Sequence, residues 1–388
     1  MTDTNIYYSI DEIQDPDQRE NKLFGNFTER LNSIVTLSAG WKKLLENTDI
    51  NAIKNREDLK NIPITRKSSL IELQKKNPPY GNLTLKEPGK FSYSFASPGP
   101  IYEPGEVGDF WNMSSSLYAA GLRPGNLVYN TFSYHLGPAG ILIGNGASCI
   151  GSAVFPGGVG NTDLQISTIK TIKPQFYLGT PSFLKIILDR LHKEKNQSSI
   201  FENALVGAEA FPNDLREYFI SKYNICPLQM YGTAEVGCIA YESKNEKGFA
   251  NQGMIVEENI ILEIVRPGSN QQVAKGEVGE VVITKLNSDY PMIRLATGDL
   301  SAIIDEPSPC GRTNIRIKGW MGRAEQSTKI KGLFITPEQI NKINVNFKNL
   351  SKVRLVIEKK DMLDFPILLC ETKGQKVESK DIKKFFKE

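Results

Sequence analysis

Apolar side chains recur at intervals of three and four over residues 20–47 (ENKLFGNFTERLNSIVTLSAGWKKLLEN), the helical period, before a polar stretch that runs to Pro63. This spacing predicts a helical lead-in. From 110 to 235 the pattern changes to short apolar runs, NLVYNTF, KPQFYLGT and NALVGAEAF, each followed by a segment with helical spacing. The alternation predicts a parallel α/β sheet. In one such unit QFYLGT reads as a buried strand, Thr180 as a helix cap and Pro181 as its first turn, with Phe183, Ile187 and Leu191 on one face. In the next, ALVGAEAF is the strand, Pro212 opens a helix whose Leu215, Phe219 and Tyr223 share a face, and ICPLQMYG is the following strand. Open parallel sheets bind ligands outside the carboxyl ends of their strands. Those ends carry Gly207, Ala208 and Glu209 in one loop and Tyr231, Gly232, Thr233, Ala234 and Glu235 in the other, so Glu209 and Glu235 are expected to face one crevice.

From about 253 the period drops to two, in NIILEIV and GEVGEVVITKL, with Pro267-Gly268 and Lys275-Gly276 as turns of antiparallel hairpins. After Gly322, GLFITPEQINKI reads as a turn and helix, VRLVIEK and FPILLCETK as two strands, and SKDIKKFFKE as a last helix. The expected architecture is α/β: a large amino-terminal domain over 1–322, followed by a small α+β domain over 323–388. The large domain comprises parallel α/β sheet layers (about 90–252) and a small antiparallel β subdomain (about 253–320).

Composition narrows the function classes. With 40% hydrophobic and 23% charged residues the chain has an ordinary globular balance. A net charge of +3 from 47 basic and 44 acidic residues is too even for a duplex nucleic-acid binder, which favours small-molecule chemistry. The apolar stretch GILIGNGASCIGSAVF (140–155) is interrupted by glycines and is shorter than a membrane span, so it reads as a buried helix and strand. The amino terminus, MTDTNIYYSIDEIQDP, has no basic-then-apolar leader, and a cytoplasmic location is expected. Five cysteines, at 149, 226, 238, 310 and 370, stand apart without a C-x-x-C pair, which predicts reduced thiols.

Four segments in order, GAEAF at 207, YGTAEVGCIAYE at 231, MIRLATGDL at 292 and MGRAEQSTKIKG at 321, resemble the phenylacetate-CoA ligases of the adenylate-forming superfamily, as does GLRPGNLVYNTFSYHLGPAG before them. The resemblance implies that a carboxylic acid, aryl or arylacetyl, is activated by ATP as an acyl-adenylate and then passed to coenzyme A, with Mg2+ on the triphosphate and possible homodimerisation. An amine or carrier-protein acceptor, and a non-catalytic AMP-binding descendant, stay open as alternatives. By the same resemblance Glu235 is the catalytic glutamate that helps hold Mg2+. Gly207, Ala208, Glu209, Tyr231, Gly232 and Thr233 line the nucleotide site, Asp299 accepts both ribose hydroxyls, Arg323 reaches ribose or phosphate, and Glu325 sits at the hinge. Phe132, Tyr134, His135 and Pro138 fall in the acyl-pocket region, His135 being either a substrate-orienting or a structural histidine.

The pattern also departs from that family. Where its phosphate loop is a Ser/Thr/Gly run ending in Gly-Lys, this chain reads SYSFASPGPIYEPG; only Ser94, Ser97 and Gly99 keep that character and Pro100 takes the lysine's position. Of the cysteine and histidine zinc ligands found in many relatives only Cys310 is kept, with Ser243, Ala250 and Ser308 at the other positions, so no zinc is expected. Gln229 replaces an aspartate and Ala296 an arginine. No Gly-rich turn with the superfamily's adenylation lysine follows, and the role is not transferred to Lys380, Lys383 or Lys384; a shortened carboxyl-terminal domain or a compromised adenylation step is expected. Residues 341–388 hold 12 basic and 7 acidic residues, a surplus suited to solvated helix faces or to anionic CoA.

Overall fold

The lead-in helices owe their position to a strip of large apolar side chains. In a computed structural model that describes residues 6–195, 200–286, 288–324, 328–330, 333–335, 340, 343, 346–360 and 363–373, α1 (Pro16–Phe24) is capped by Asp15, whose carboxylate accepts from the Asp17 and Gln18 amides, and has Pro16 in its first turn. Next come α2 (Phe27–Leu37), α3 (Ala39–Leu44) and α4 (Lys67–Lys76). Phe27, Leu31, Trp41, Leu59 and Ile62 are fully buried and share one core with Leu262, Ile264, Val281, Ile283 and Met292. The lead-in is therefore the cover of an antiparallel sheet. At about 1.5–3 kcal/mol for each large side chain withdrawn from water, this strip holds the amino terminus in place.

Two hairpin strands follow, β1 (Tyr93–Ser97) and β2 (Ile101–Gly105), paired antiparallel with Phe95 opposite Glu103 and Ser97 opposite Ile101. Then strands and helices alternate as expected: α5 (Ser114–Ala119), β3 (Leu127–Asn130), α6 (Ala139–Cys149), β4 (Ala153–Pro156), α7 (Thr162–Ile172), β5 (Phe176–Gly179), α8 (Pro181–Lys195), β6 (Asn203–Val206), α9 (Asn213–Tyr223) and β7 (Leu228–Thr233). The chain continues through β8 (Gly237–Tyr241), β9 (Met254–Val256), β10 (Ile261–Val265), β11 (Gly279–Lys285), β12 (Met292–Ser301), β13 (Ile303–Ile304) and β14 (Arg316–Ile317). Phe183 sits at the rim of α8, half-buried, and the buried stripe is Leu184, Ile187, Leu188 and Leu191. The α6 half of 140–155 is buried as expected, but β4 is the edge strand of its sheet and is only partly covered.

The large sheet has nine strands in the order β13-β14-β9-β8-β7-β6-β5-β3-β4. It is parallel from β4 to β7 and antiparallel from β8 onward. The reversal is made by the tight turn between Thr233 and Gly237, and the β7–β8 pair has a bulge between Tyr231 and Gly232. A Cβ on Gly232 would lie 2.4 Å from the Gly237 carbonyl oxygen, so this close return of the chain requires glycine. Residues 253–320 are consequently divided between sheets: β9, β13 and β14 extend the large sheet, while β10, β11 and β12 form a separate three-stranded one. A hydrophobic pattern of period two identifies strands without saying which sheet they join.

Between these sheets lies a buried Lys285, whose ammonium donates to the Phe110 and Val236 carbonyls at 3.0 Å each. Burial lowers its pKa against the opposing charge of Glu257. The Glu257 carboxyl is pushed up to about 7, by burial above all, against the Asn259 amide and Lys285, which favour its anion. In the unfolded chain this group titrates near the ordinary carboxylate value, so between there and about pH 7 the folded state holds the extra proton, and stability contributed by Glu257 falls as pH rises through that window. Glu257→Gln is expected to flatten that fall, which urea unfolding at a series of pH values measures.

The chain divides into two compact units, Met1–Gly322 and Arg323–Glu388. In the second, Leu350–Lys360 pairs antiparallel with Leu363–Thr372, as the sequence predicts, and Ile343 and Leu350 are buried with Val353, Leu368 and Cys370 beside them. Leu333–Ile335 is a strand paired with Thr328–Ile330 where the sequence suggested a turn. The expected last helix over 379–388, with Lys380, Lys383 and Lys384, lies outside the described residues. Among the described residues no helix is long and apolar enough to cross a membrane.

Candidate active site

The parallel strands β6 and β7 are neighbours, so their carboxyl ends bring the two sequence-predicted loops together. Gly207 donates to the Gly179 carbonyl at 3.2 Å, and Ala208 follows with φ +67, a left-handed backbone uncommon for a residue with a Cβ. The half-buried Gln229 side chain reaches back to the Glu209 carbonyl at 3.4 Å. Gln229 therefore ties the two loops in the position where the family pattern has aspartate. Ala208 is exposed and Glu209 half-buried, consistent with loops that line an opening.

Two polar clusters stand at this edge. The first is centred on Asp299 near the end of β12. Its Oδ2 accepts from the Tyr231 hydroxyl at 2.9 Å, its Oδ1 accepts from the Trp320 indole Nε1 at 3.0 Å, and its own amide donates to Thr297 Oγ1 at 3.1 Å. Thr297 in turn donates to the Val281 carbonyl at 3.1 Å. Asp299 is buried, while Trp320 is half open to solvent. The Tyr231 ring packs in the core, and its hydroxyl is aimed at Asp299. Trp320 was not singled out in the sequence. Its position in KGWMGR, directly before the G-R segment, was the signal that could have found it.

The second cluster lies under the β1–β2 hairpin. Glu235, expected at the crevice, is buried there, with its Oε1 2.6 Å from the Lys67 ammonium at the start of α4. Glu103 of β2 is also buried and accepts from Ser97 Oγ at 2.9 Å. Burial first, and the nearby Glu235 charge second, push its carboxyl well above the ordinary range. Neither Glu103 nor Lys67 was expected. Strand alternation could have shown the first, because Phe95, Ser97, Ile101 and Glu103 fall on the inward face of one hairpin.

Of the candidate phosphate-loop residues, Ser97 is turned inward to Glu103, Gly99 is exposed in the hairpin turn, and Ser94 is exposed toward the open end, opposite Pro104. Phe132 and Pro138 are buried and Tyr134 half-buried, its phenol raised to about 12 by burial. His135 lies on an exposed turn next to Leu136, and its backbone, not its ring, makes the bonds to Ser133 and Gly137. Arg323 begins the second unit, and the hinge residue Glu325 lies outside the described residues. At the degenerate zinc position Cys310 Sγ sits 3.2 Å from Ser308 Oγ and accepts from Arg312 at 3.4 Å, while Ser243 Oγ accepts from Asn251. A cavity of about 680 Å³ near Asn21, Phe24 and Lys54 lies on the lead-in helices and contains none of these groups.

The sequence profile described as AMP-binding enzyme matches residues 132–287. A phenylacetate-coenzyme A ligase of Thermus thermophilus is 28% identical over 317 residues, covering 78% of this chain and 70% of that protein. Those of Aromatoleum evansii and Escherichia coli K12 are 28% and 27% identical, over 75% and 79% of this chain and 67% and 71% of theirs. These matches support a place for the chain beside the phenylacetate-CoA ligases among the AMP-binding enzymes. A solved structure of 2-hydroxyisobutyryl-CoA ligase, in complex with 2-HIB-AMP and CoA, superposes with a TM-score of 0.84 at 22% identity and covers 95% of this chain and 81% of that one, which establishes the shared fold. The adenylate-forming CoA ligases use ATP and coenzyme A, with Mg2+ as the usual partner of ATP. For a phenylacetate-CoA ligase relative, the Asp299 cluster suits a nucleotide: a carboxylate already aligned by two donors is a ready acceptor for a diol. The Glu235 cluster does not suit a directly ligated Mg2+, because the carboxylate is sealed from water and already bears an ammonium.

Proposed function

We propose that this chain is an acid-CoA ligase: it joins an aryl or arylacetic acid to AMP with release of pyrophosphate, and then exchanges AMP for the thiol of coenzyme A. The observation that carries this reading is the Asp299 carboxylate, fixed by Tyr231 and Trp320 beside the two loops that end β6 and β7. In that role Asp299 holds the ribose, the loops at 207–209 and 231–233 flank the base, and Phe132, Tyr134 and Pro138 form the apolar wall against the acid. No side chain is required as nucleophile. The acid's own oxygen attacks phosphorus, and the protein's contribution is to fix both partners and exclude water.

One observation favours a second reading, an AMP-binding protein without ligase activity: the turn 98–100 carries two prolines, which donate no amide, and Ser97 gives its hydroxyl to Glu103. Exchange of labelled pyrophosphate into ATP across a panel of aryl acids separates the two. The ligase reading expects exchange that depends on the acid, followed by thioester when CoA is added. Exchange without thioester indicates an amine or carrier-protein acceptor. AMP binding without exchange for any acid overturns the ligase reading.

A further inference from the structure

We propose that Lys67 is the built-in counter-cation of Glu235, holding in the nucleotide-free protein the place that a divalent metal was expected to take at this carboxylate. The inference deepens the phosphate-side part of the function proposed above and rests on Glu235 being that side's carboxylate. Its starting point is the mismatch between a metal-ligand role and the surroundings of the side chain.

A Mg2+ ligand has to share its ion with several waters or phosphate oxygens, since the ion keeps much of its hydration. The Glu235 side chain is only 1% exposed, and its Oε1 is 2.6 Å from the Lys67 ammonium, a charge-assisted contact. A buried carboxylate without a partner is costly, so some cation must be present whenever Glu235 is ionised and enclosed. Lys67 meets that need from inside the chain. Its own side chain is 33% exposed, so the ammonium stays partly hydrated while one of its three donors serves the buried oxygen.

The neighbouring Glu103 sharpens the point. Two carboxyl groups are buried at one place, and Glu103 Oε2 has no hydrogen-bond partner among the described residues, while its Oε1 accepts from Ser97. One ammonium balances one carboxylate. The other carboxyl is kept toward its neutral form by burial and by the Glu235 charge. Glu235 Oε2 likewise has no hydrogen-bond partner among the described residues, so the charge of Glu235 is met at Oε1, by Lys67. A dication inserted beside Lys67 would set two cations side by side at one buried oxygen, Glu235 Oε1. The local backbone supports the same assignment, because the segment that leads into α4 is pinned by Thr65, which donates its amide to the Arg294 carbonyl and receives the Ala296 amide at its own carbonyl, each at 2.9 Å. Lys67 therefore approaches Glu235 from a fixed helix start.

The test is thermal unfolding of the full chain without nucleotide, with and without millimolar Mg2+, for the wild type, Lys67→Met, and Lys67→Met combined with Glu235→Gln. The expected result is a wild-type midpoint that Mg2+ does not move, a lower midpoint for Lys67→Met, and recovery of most of that loss in the double variant, where the carboxylate charge has been removed with its partner. A wild-type midpoint raised by Mg2+ overturns the proposal, and so does a double variant no better than Lys67→Met. If Lys67→Met fails to fold, Mn2+ binding to the wild type decides by electron paramagnetic resonance: no bound ion without nucleotide supports the proposal, and a bound ion lost in Glu235→Gln overturns it. Failure of pyrophosphate exchange removes the ligase reading but leaves this stability pattern in place, so the two can fail separately.

Discussion

Asp299→Ala is expected to weaken AMP binding by about 1.5 to 3 kcal/mol, roughly 10- to 150-fold, the usual worth of hydrogen bonds to a charged group. The size follows from the preparation of the site. Asp299 is buried, and both of its oxygens already accept from donors in the protein, Tyr231 on one side and Trp320 on the other. A carboxylate held this way has lost its rotamer freedom before the ligand arrives, so little further ordering opposes binding. Alanine removes the acceptor and leaves the Tyr231 hydroxyl to Thr297, 3.1 Å away, which limits the damage to the fold. Titration calorimetry with AMP, beside circular dichroism to verify folding, makes the measurement, and an unchanged affinity overturns the ribose role. Trp320→Phe is expected to act in the opposite direction. The indole N–H occupies Oδ1 from a half-exposed position, so it competes with a ribose hydroxyl for the same oxygen, and its removal should tighten AMP binding. Weaker binding in Trp320→Phe would instead assign the indole to the bound nucleotide.

The part of this site that could be read in the sequence is the part that depends on local pattern. The strand-loop-helix units around Thr180 and Pro212 repeat a periodicity that leaves few alternatives, and their loops emerge side by side because successive parallel strands pair. Glu235 and Asp299 were found by motif, and the structure places each in a polar cluster. Their partners escaped because they come from far along the chain: Lys67 from the start of α4, Glu103 from a hairpin whose amino-acid pattern looked like a degraded loop, and Trp320 from the stretch after β14. The division of residues 253–320 between two sheets escaped for a related reason. Strand pairing is decided by long-range packing, and β9 is only three residues long, too short for any pattern to assign. His135 shows the converse. Its aromatic and proline neighbours suggested a pocket; Phe132 and Pro138 are buried, while His135 lies exposed beside Leu136, which takes a left-handed backbone with φ +59.

Arg294→Leu is expected to destabilise the large unit by about 3–5 kcal/mol, the usual cost of leaving one member of a buried ion pair unmatched. Arg294 is completely buried in MIRLATGDL, a segment first noted for Asp299 and for the missing arginine at Ala296. Its Nε and Nη2 donate to the two oxygens of Glu263 at 2.9 and 3.0 Å, and Nη1 donates to the Ile62 carbonyl. The guanidinium therefore joins β12, β10 and the segment leading into α4, three pieces separated by some of the longest stretches in the chain. A leucine fills much of the space but makes none of these bonds, and it strands a carboxylate that is itself only 1% exposed. Leu and Arg both carry a Cβ, so the left-handed backbone at this position, φ +44, strains the two alike and cancels in the comparison. Arg294→Leu combined with Glu263→Leu removes both charges together, and by the same reasoning should recover most of the loss, with Gln272 giving up its 2.9 Å bond to Glu263 in favour of water at its exposed position. Urea unfolding of the two variants distinguishes the causes. A double variant as unstable as the single assigns the loss to the missing Ile62 contact and to packing, which makes Arg294 the anchor of the segment that leads into α4 and Lys67, whereas a recovered one assigns the loss to the unmatched charge.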